Sequence, residues 1–384
     1  MATEPTTHSE ERRPAAPLGF PRSAAELDPR IVPQVLTAIS RIAPGTPLRQ
    51  GIDDVIRARE GALIVIGDPD QLSFLFSGGI RLDQEFTPQL LYELAKMDGA
   101  IIVNSAIAKI THANVQLMPD PTIPSSETGT RHRTAERVAK QTSALVISIS
   151  QQRETVTLFM GSHRYQLDPI ADVLAKTNQA LATLETYRQR LDQVLTRLTA
   201  LEFQNAVMLD DVLAVLQRAE LTTRMADYIE RACTELGSEG RLIRMQLEEQ
   251  VSEVPADKAA VLFDYHAVGT PEHVREGLDA LAQLPYQQLL EFELLAILGY
   301  PATTNPLDYA VSPRGYRVLR HIPRLPENVI QRLVAELGGL EGIVRASQRD
   351  LEAVDGVGSV RAREIREGLR RLQEHNLVDR YLQA

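Results

Sequence analysis

Two short segments concentrate the polar chemistry in the first half of the chain, and a third stands near its C-terminal end. Asp98-Gly99-Ala100 sets an acid and a glycine at the mouth of an apolar run. Such a carboxylate can hold a divalent metal or accept a hydroxyl proton, and the glycine lets a ligand approach the backbone closely. Asp-Gly before a strand is also ordinary turn chemistry. Gly129-Thr130-Arg131-His132-Arg133-Thr134 packs two hydroxyls, two guanidiniums and an imidazole into five consecutive residues. Guanidiniums grip phosphate oxygens in bidentate fashion, and a following helix favours anions at its N-terminal amides. Pro121, Pro124, Ser125, Ser126 and Gly129 form a loop before it that can wrap a ligand, and Thr134 is placed to cap the helix. A solvated basic turn is the plainer alternative. Ser148, Ser150 and Gln152 close a strand and lead into Arg153, where side chains in α/β sheets often face a ligand. Near the C-terminus, Val354-Asp355-Gly356-Val357-Gly358 places two glycines two apart before a helix that carries Arg361, Arg363 and Arg366. Backbone amides of such a hairpin can bind a DNA phosphate without reading sequence.

The elements that must position these groups follow from hydrophobic spacing. Ala62–Ile66, Ala100–Val103, Leu145–Ile149 and Thr155–Phe159 read as buried strands, the last two as an antiparallel pair. Pro88–Met97 and Thr134–Thr142 read as helices between them. Together these predict an α/β domain with a mixed sheet. After Pro169 the pattern becomes helical. Leu174, Leu181, Leu184, Leu191, Leu195 and Leu198 recur at intervals of three, four or seven, which predicts one long helix and then shorter ones through about Leu298. Such a spine can pack on itself or serve self-assembly. The stretch Gly299–Pro306 marks a boundary, and Asn328–Leu337 and Ser359–Leu372 are helices of a small C-terminal region. The expected organisation is therefore a tail over 1–25, an α/β domain over 26–167, a helical spine over 168–310 and an all-α region over 311–384.

Composition narrows the function classes. No apolar run approaches the roughly 18–20 residues that span a bilayer. The first 25 residues read as a disordered tail rather than a signal peptide. The single cysteine, Cys233, makes no internal disulfide and no cysteine zinc site. A cytoplasmic protein using oxygen and nitrogen chemistry is expected. The net charge of −10 argues against nucleic acid binding over the whole surface. The distribution is uneven, however: residues 313–384 hold 13 Arg and no Lys against 10 Asp and Glu, a local balance of +3 that leaves −13 elsewhere. One DNA-contacting module at the C-terminus fits that asymmetry.

Taken together, these residues resemble the bacterial DNA integrity scanning family of diadenylate cyclases. The resemblance rests on Asp98-Gly99-Ala100 paired with Arg131-His132-Arg133, on Val354–Gly358 as a helix-hairpin-helix element, and on Ser312–Arg317 and Ile322–Pro326. It covers nearly the whole chain after the tail. The resemblance implies condensation of two ATP into cyclic di-AMP with release of pyrophosphate, a need for Mg²⁺ or Mn²⁺, and a homo-octamer with facing active sites. It also implies inhibition by branched DNA such as Holliday junctions. Asp98 then acts on the attacking 3′-hydroxyl and holds the metal, while Gly99 and Ala100 lie against the nucleotide. Leu117 lines the base pocket, and Thr130, Arg131, His132, Arg133 and Thr134 hold the triphosphate. Gly356, Gly358, Arg361 and Arg363 contact DNA. The hairpin around Pro326-Glu327-Asn328 lacks the Gly-x-Gly pattern. A DNA-repair scaffold or nuclease and a non-catalytic ATP sensor are the competing readings. The nuclease requires a carboxylate cluster for two metals, and only Asp98 stands out at a strand end.

Overall fold

A computed structural model describes residues 32–290 and 293–383 of the 384-residue chain, so the segment read as a tail lies outside the described residues. The fold divides into two compact units between Leu167 and Asp168.

In the first unit, helices α1 (Val32–Arg41) and α2 (Pro47–Arg57) precede strand β1 (Ala62–Ile66). There follow β2 (Phe76–Ser77), β3 (Ile80–Glu85), α3 (Pro88–Ala95), β4 (Ala100–Val103) and β5 (Lys109–Leu117). Helix α4 (Thr130–Gln141) and strands β6 (Leu145–Ser150), β7 (Thr155–Met160) and β8 (His163–Gln166) complete it. Helices α2 and α3 begin with Thr-Pro. Each threonine hydroxyl accepts the amide three residues on, and each proline supplies a preset φ at the first helical position.

The strands form one mixed sheet in the order β2-β5-β4-β1-β6-β7-β8, with β3 also paired to β5. β1 and β4 run parallel, with Leu63 beside Ala100, and the remaining pairs are antiparallel. The period of two divides β1 between two cores. Ala62, Ile64 and Ile66 pack under α1, α2 and α3, against Ile39, Ile52 and Leu91. Leu63 and Val65 pack on the other face under α4, against Ala135, Val138 and Ala139. Burying each such Leu, Ile or Val contributes roughly 1.5–3 kcal/mol, so the sheet is fixed in register and its edges are fixed in place.

The second unit opens with α5 (Ile170–Gln204), 35 residues and about 52 Å long at 1.5 Å per residue. Asn205 ends it in the left-handed conformation. A two-stranded ribbon, β9 (Val207–Met208) with β10 (Ala310–Val311), frames α6 (Leu209–Leu236), α7 (Arg241–Val251), α8 (Val254–Tyr265) and α9 (Pro271–Gln283). The C-terminal helices are α10 (Tyr316–Arg320), α11 (Glu327–Leu337), α12 (Leu340–Arg345), α13 (Gln348–Ala353) and α14 (Ser359–Gln383). Helix α14 runs eleven residues past the Leu372 end read from spacing.

A buried polar knot joins these helices to the spine. Arg317 of α10 pairs with Glu202 of α5, both almost fully inaccessible. Its guanidinium also donates to Thr199 Oγ1 at 2.6 Å, and Tyr265 donates to Glu202 Oε1 at 2.7 Å. Asp264 accepts the amides of Gly315, Tyr316 and Arg317 at 2.7–2.9 Å, so it caps α10 from a distant helix. Burial, with the nearby Glu202 carboxylate, pushes the Asp264 carboxyl up to about 7.

Candidate nucleotide site and candidate nucleic-acid interface

The sheet register gathers the two motifs of the first unit at one edge. Leu63 is the first residue of β1 paired with β4, opposite Ala100. Two residues before that pair, just ahead of each strand, stand Gly61 and Asp98. Because β5 and β6 run antiparallel to these strands, their C-terminal ends, Leu117 and Ser150, reach the same edge. Helix α4 brings its N-terminus there as well. The guanidinium of Arg131 lies so close to Gly61 that a Cβ on that glycine would stand 2.1 Å from Arg131 Nη1. Gly61 is a neighbour of Arg131 at the candidate site that sequence reasoning missed; its signal is the glycine directly before the apolar run of β1.

Asp98 is exposed, and neither Asp98 nor Arg131 has an ion-pair partner among the described residues. Gly99 has φ +92°, and a Cβ there would meet the backbone of Asn114 at 2.8 Å and of Val115 at 3.0 Å. The need for glycine is therefore already set by β5, independently of any ligand. Ala100 and Leu117 are buried in the cluster beneath α4. No group of three His, Cys, Asp or Glu side chains that could hold a metal occurs among the described residues.

Helix α4 begins at Thr130, four residues earlier than the spacing predicts, and Gly129 rather than Thr134 occupies its N-cap. Thr130 to Thr134 are thus the first turn of the helix, not a loop before it. The first intrahelical bond runs from the Arg133 amide to the Gly129 carbonyl, which leaves the amides of Thr130, Arg131 and His132 as terminal donors. The missing side-chain cap makes this end better suited to an anion. The three central side chains diverge. Arg131 lies over Gly61. His132 meets Phe159 edge-on, ring centroids 6.3 Å apart, and burial, together with Arg164, Arg131 and Arg153, holds it below the usual imidazole range against the pull of Glu127. It is therefore a neutral hydrogen-bonding group near pH 7. Arg133 reaches the carbonyls of Glu127 and Thr128, both at 3.4 Å. Those bonds are long, and a phosphate is the stronger partner for a guanidinium.

The second half of α4 holds the preceding loop. Glu136 accepts from Ser125 Oγ at 2.5 Å and from the Ser126 amide at 3.0 Å. Arg137 donates to the Ile123 carbonyl at 2.9 Å, Lys140 to that of Pro124 at 2.8 Å, and Gln141 accepts the Asp120 amide at 3.0 Å. Burial raises the Glu136 carboxyl, but the bonds from Lys140, Ser125 and Ser126 outweigh it and hold the group low.

Ser148 differs from its expected place. It is fully buried in register with Leu63 and Thr157, two residues inside the edge, and its Oγ has no partner. Ser150 is at the edge, where its Oγ accepts the Arg153 amide at 3.3 Å and closes the turn. A cavity of about 820 Å³ opens at the other end of β1 and is lined by Gly67, Ser105, Thr142 and His163. None of the candidate residues lines it.

In the second unit, α13 and α14 flank the Val354–Gly358 hairpin. Gly356 has φ +87°, which favours glycine, and Gly356 and Gly358 are exposed. Arg361 donates to the Gly356 carbonyl, and Arg332 of α11, which sequence reasoning missed, donates to the Asp355 carbonyl at 2.9 Å and to its carboxylate at 2.5 Å. Arg363 stands apart from this group. It lies about 200° around the helix from Arg361 and lines a separate cleft.

Comparison with known proteins shows which family the chain resembles. Residues 49–164 match the family description "DisA bacterial checkpoint controller nucleotide-binding", and residues 167–307 match "DisA bacterial checkpoint controller linker region". The DNA integrity scanning protein DisA of Carboxydothermus hydrogenoformans is 51% identical over 89% of this chain and 97% of its own. Those of Acetivibrio thermocellus and Bacillus pumilus are 47% and 46% identical, over 92% and 94% of this chain and 98% and 99% of theirs.

Proposed function

Because the chain belongs to the DisA family of DNA integrity scanning proteins, we propose that it is a diadenylate cyclase that joins two ATP into cyclic di-AMP and two diphosphates. The observation that carries this reading is the convergence of Asp98 and the Arg131 end of α4 on one sheet edge, with Gly61 making room for the guanidinium.

In each of the two transfers a 3′-oxygen attacks the α-phosphorus of the facing ATP. A P–O bond forms, the bond from the α-phosphorus to the bridging oxygen breaks, and pyrophosphate leaves. The Asp98 carboxylate accepts the hydroxyl proton. Thr130, Arg131, Arg133 and Thr134, with His132 and the terminal amides of α4, hold the triphosphate and spread the charge of the leaving group. Gly99 and Ala100 lie against the nucleotide, and Leu117 bounds the base. Asp98, as a lone carboxylate, would hold a Mg²⁺ or Mn²⁺ ion in the manner usual for Mg²⁺ at nucleotides, and the ion would supply screening of the phosphate charge.

One edge holds one ATP, so the reaction needs a second copy facing it. The exposed side chains of Met97, beside Asp98, and Met118, beside Leu117, give that edge an apolar rim suited to such a contact. A homo-octamer built from facing pairs satisfies the requirement. The Gly356–Gly358 hairpin, with Arg361, binds DNA, while Arg363 faces the cleft on the other side of α14, and branched DNA such as a Holliday junction lowers the cyclase activity. The protein works in the cytoplasm; no described helix is long and apolar enough to cross a membrane.

Incubation with ATP and Mg²⁺ or Mn²⁺ should give cyclic di-AMP by chromatography, and Asp98→Asn should bind ATP without forming product. ATP bound by the unaltered protein with no product indicates a sensor, and cleaved DNA a nuclease. An active Asp98→Asn variant refutes the role given to the carboxylate.

A further inference from the structure

A cleft of about 360 Å³ lies within the second unit, walled by Phe203 at the end of α5, Val344 of α12 and the flank of α14. Arg363, Arg366 and Arg370 line it. Their spacing of three and four residues puts all three on one side of the helix. Arg363 and Arg366 have no ion-pair partner among the described residues. Arg370 pairs with Glu374 only at 3.6 Å, and both side chains are mostly exposed, which makes a weak pair. The one acid in the lining, Glu367, is already engaged by Arg371 at 3.2 Å. The wall is held in place: Asn205, which ends α5, donates to Glu341 of α12 at 2.8 Å.

We propose that this cleft is a second seat for a phosphodiester backbone, which takes a second arm of branched DNA while the Gly356–Gly358 hairpin holds the first. The inference rests on the DNA-binding reading given above. Three guanidiniums facing one groove with a single, engaged carboxylate complement a polyanion and read no base sequence. The cleft is too small for a duplex and admits one strand's backbone. The hairpin sits at the N-terminal end of the same helix α14, whose other side carries the cleft. A linear duplex reaches the hairpin alone, whereas a branched molecule presents a second backbone close by. DNA in the cleft also touches Phe203, and so meets the end of the long spine helix.

The test uses the full-length protein and measures binding to a four-way junction and to a linear duplex of matched sequence by fluorescence anisotropy across a salt series. The variant Arg366→Glu/Arg370→Glu should bind the junction at least tenfold more weakly and change linear binding less than threefold. Its salt slope on the junction should fall by about two, at about 0.9 per lost phosphate contact. Arg366→Gln/Arg370→Gln should lie between it and the unaltered protein. Junction binding within twofold of the unaltered protein, or an equal loss on both DNAs, overturns the second seat while leaving the hairpin reading intact. Failure of the unaltered protein to bind either DNA overturns both. Melting by circular dichroism keeps loss of fold separate from loss of binding.

Discussion

At the scale of single residues, two glycines of the first unit serve opposite ends. Gly99 is required by its own backbone: φ is +92° and a Cβ would strike the main chain of Asn114 and Val115, which cannot move cheaply. Gly61 is required by a neighbour's side chain. An added Cβ meets the far end of Arg131, at 2.1 Å from Nη1 and 3.1 Å from Cζ, and stands 3.2 Å from the Ile149 carbonyl oxygen. The flexible side chain can swing away and the Ile149 carbonyl need give only by a few tenths of an ångström, so Gly61→Ala should fold, with the loss of chain entropy in the unfolded state, about 0.4–1 kcal/mol, offsetting that crowding. What it costs is the position of one guanidinium. Cyclic di-AMP formation should drop at least tenfold with the melting temperature held or raised. Full activity in this variant contradicts the placement of Arg131 in the site, as does a loss that merely follows unfolding.

At the scale of elements, what was legible in the sequence was whatever a local pattern encodes. The strands β1, β4, β6 and β7 are apolar runs, and the α4 segment announces itself by charge, so the two segments of the candidate site stand out. The start of α4 was misplaced because Thr134 is a good capping type, whereas the true cap, Gly129, offers no side chain. Strands β3 and β8, Ile-Arg-Leu-Asp-Gln-Glu and His-Arg-Tyr-Gln, are largely exposed and carry no apolar run to see. The stitching of the 120–126 loop to Glu136, Arg137, Lys140 and Gln141 is tertiary and leaves no spacing signal. The same holds for α10, whose cap comes from Asp264, some fifty residues away. That cap predicts a pH dependence. The folded carboxyl lies at about 7, above its ordinary value, so the folded state binds the proton more tightly than the unfolded chain. Its contribution is full below about pH 4 and is lost as pH rises through about 7, at most about 1.4 kcal/mol per pH unit. The stability advantage of the unaltered protein over Asp264→Asn should therefore shrink between pH 5 and pH 8. A gap that stays constant or widens with pH rules out this account of Asp264.

At the scale of the whole molecule, the buried knot decides where the chain can be divided. Composition suggests a boundary near residue 310, and removing everything from Ser312 onward looks like a clean way to separate DNA sensing from catalysis. Residues 168–384 nevertheless form one compact unit, and that cut would take Arg317 away from Glu202 and the α10 amides away from Asp264. It would strand buried carboxylates in the spine. Point changes at the hairpin or the arginine cleft are the better instruments, because they leave the knot whole. The knot itself should behave as a structural part of the second unit alone. Arg317→Ala leaves Glu202 charged, buried and without its cation, at a cost of about 3–5 kcal/mol. Hydrogen–deuterium exchange read by mass spectrometry should show lost protection across α5, α8 and α10. Strands β1 and β4 of the first unit should keep theirs. A cost below about 1 kcal/mol would mean that water or Tyr265 satisfies Glu202 without Arg317. Equal loss in both units would mean that the two fold as one, against the division at Leu167.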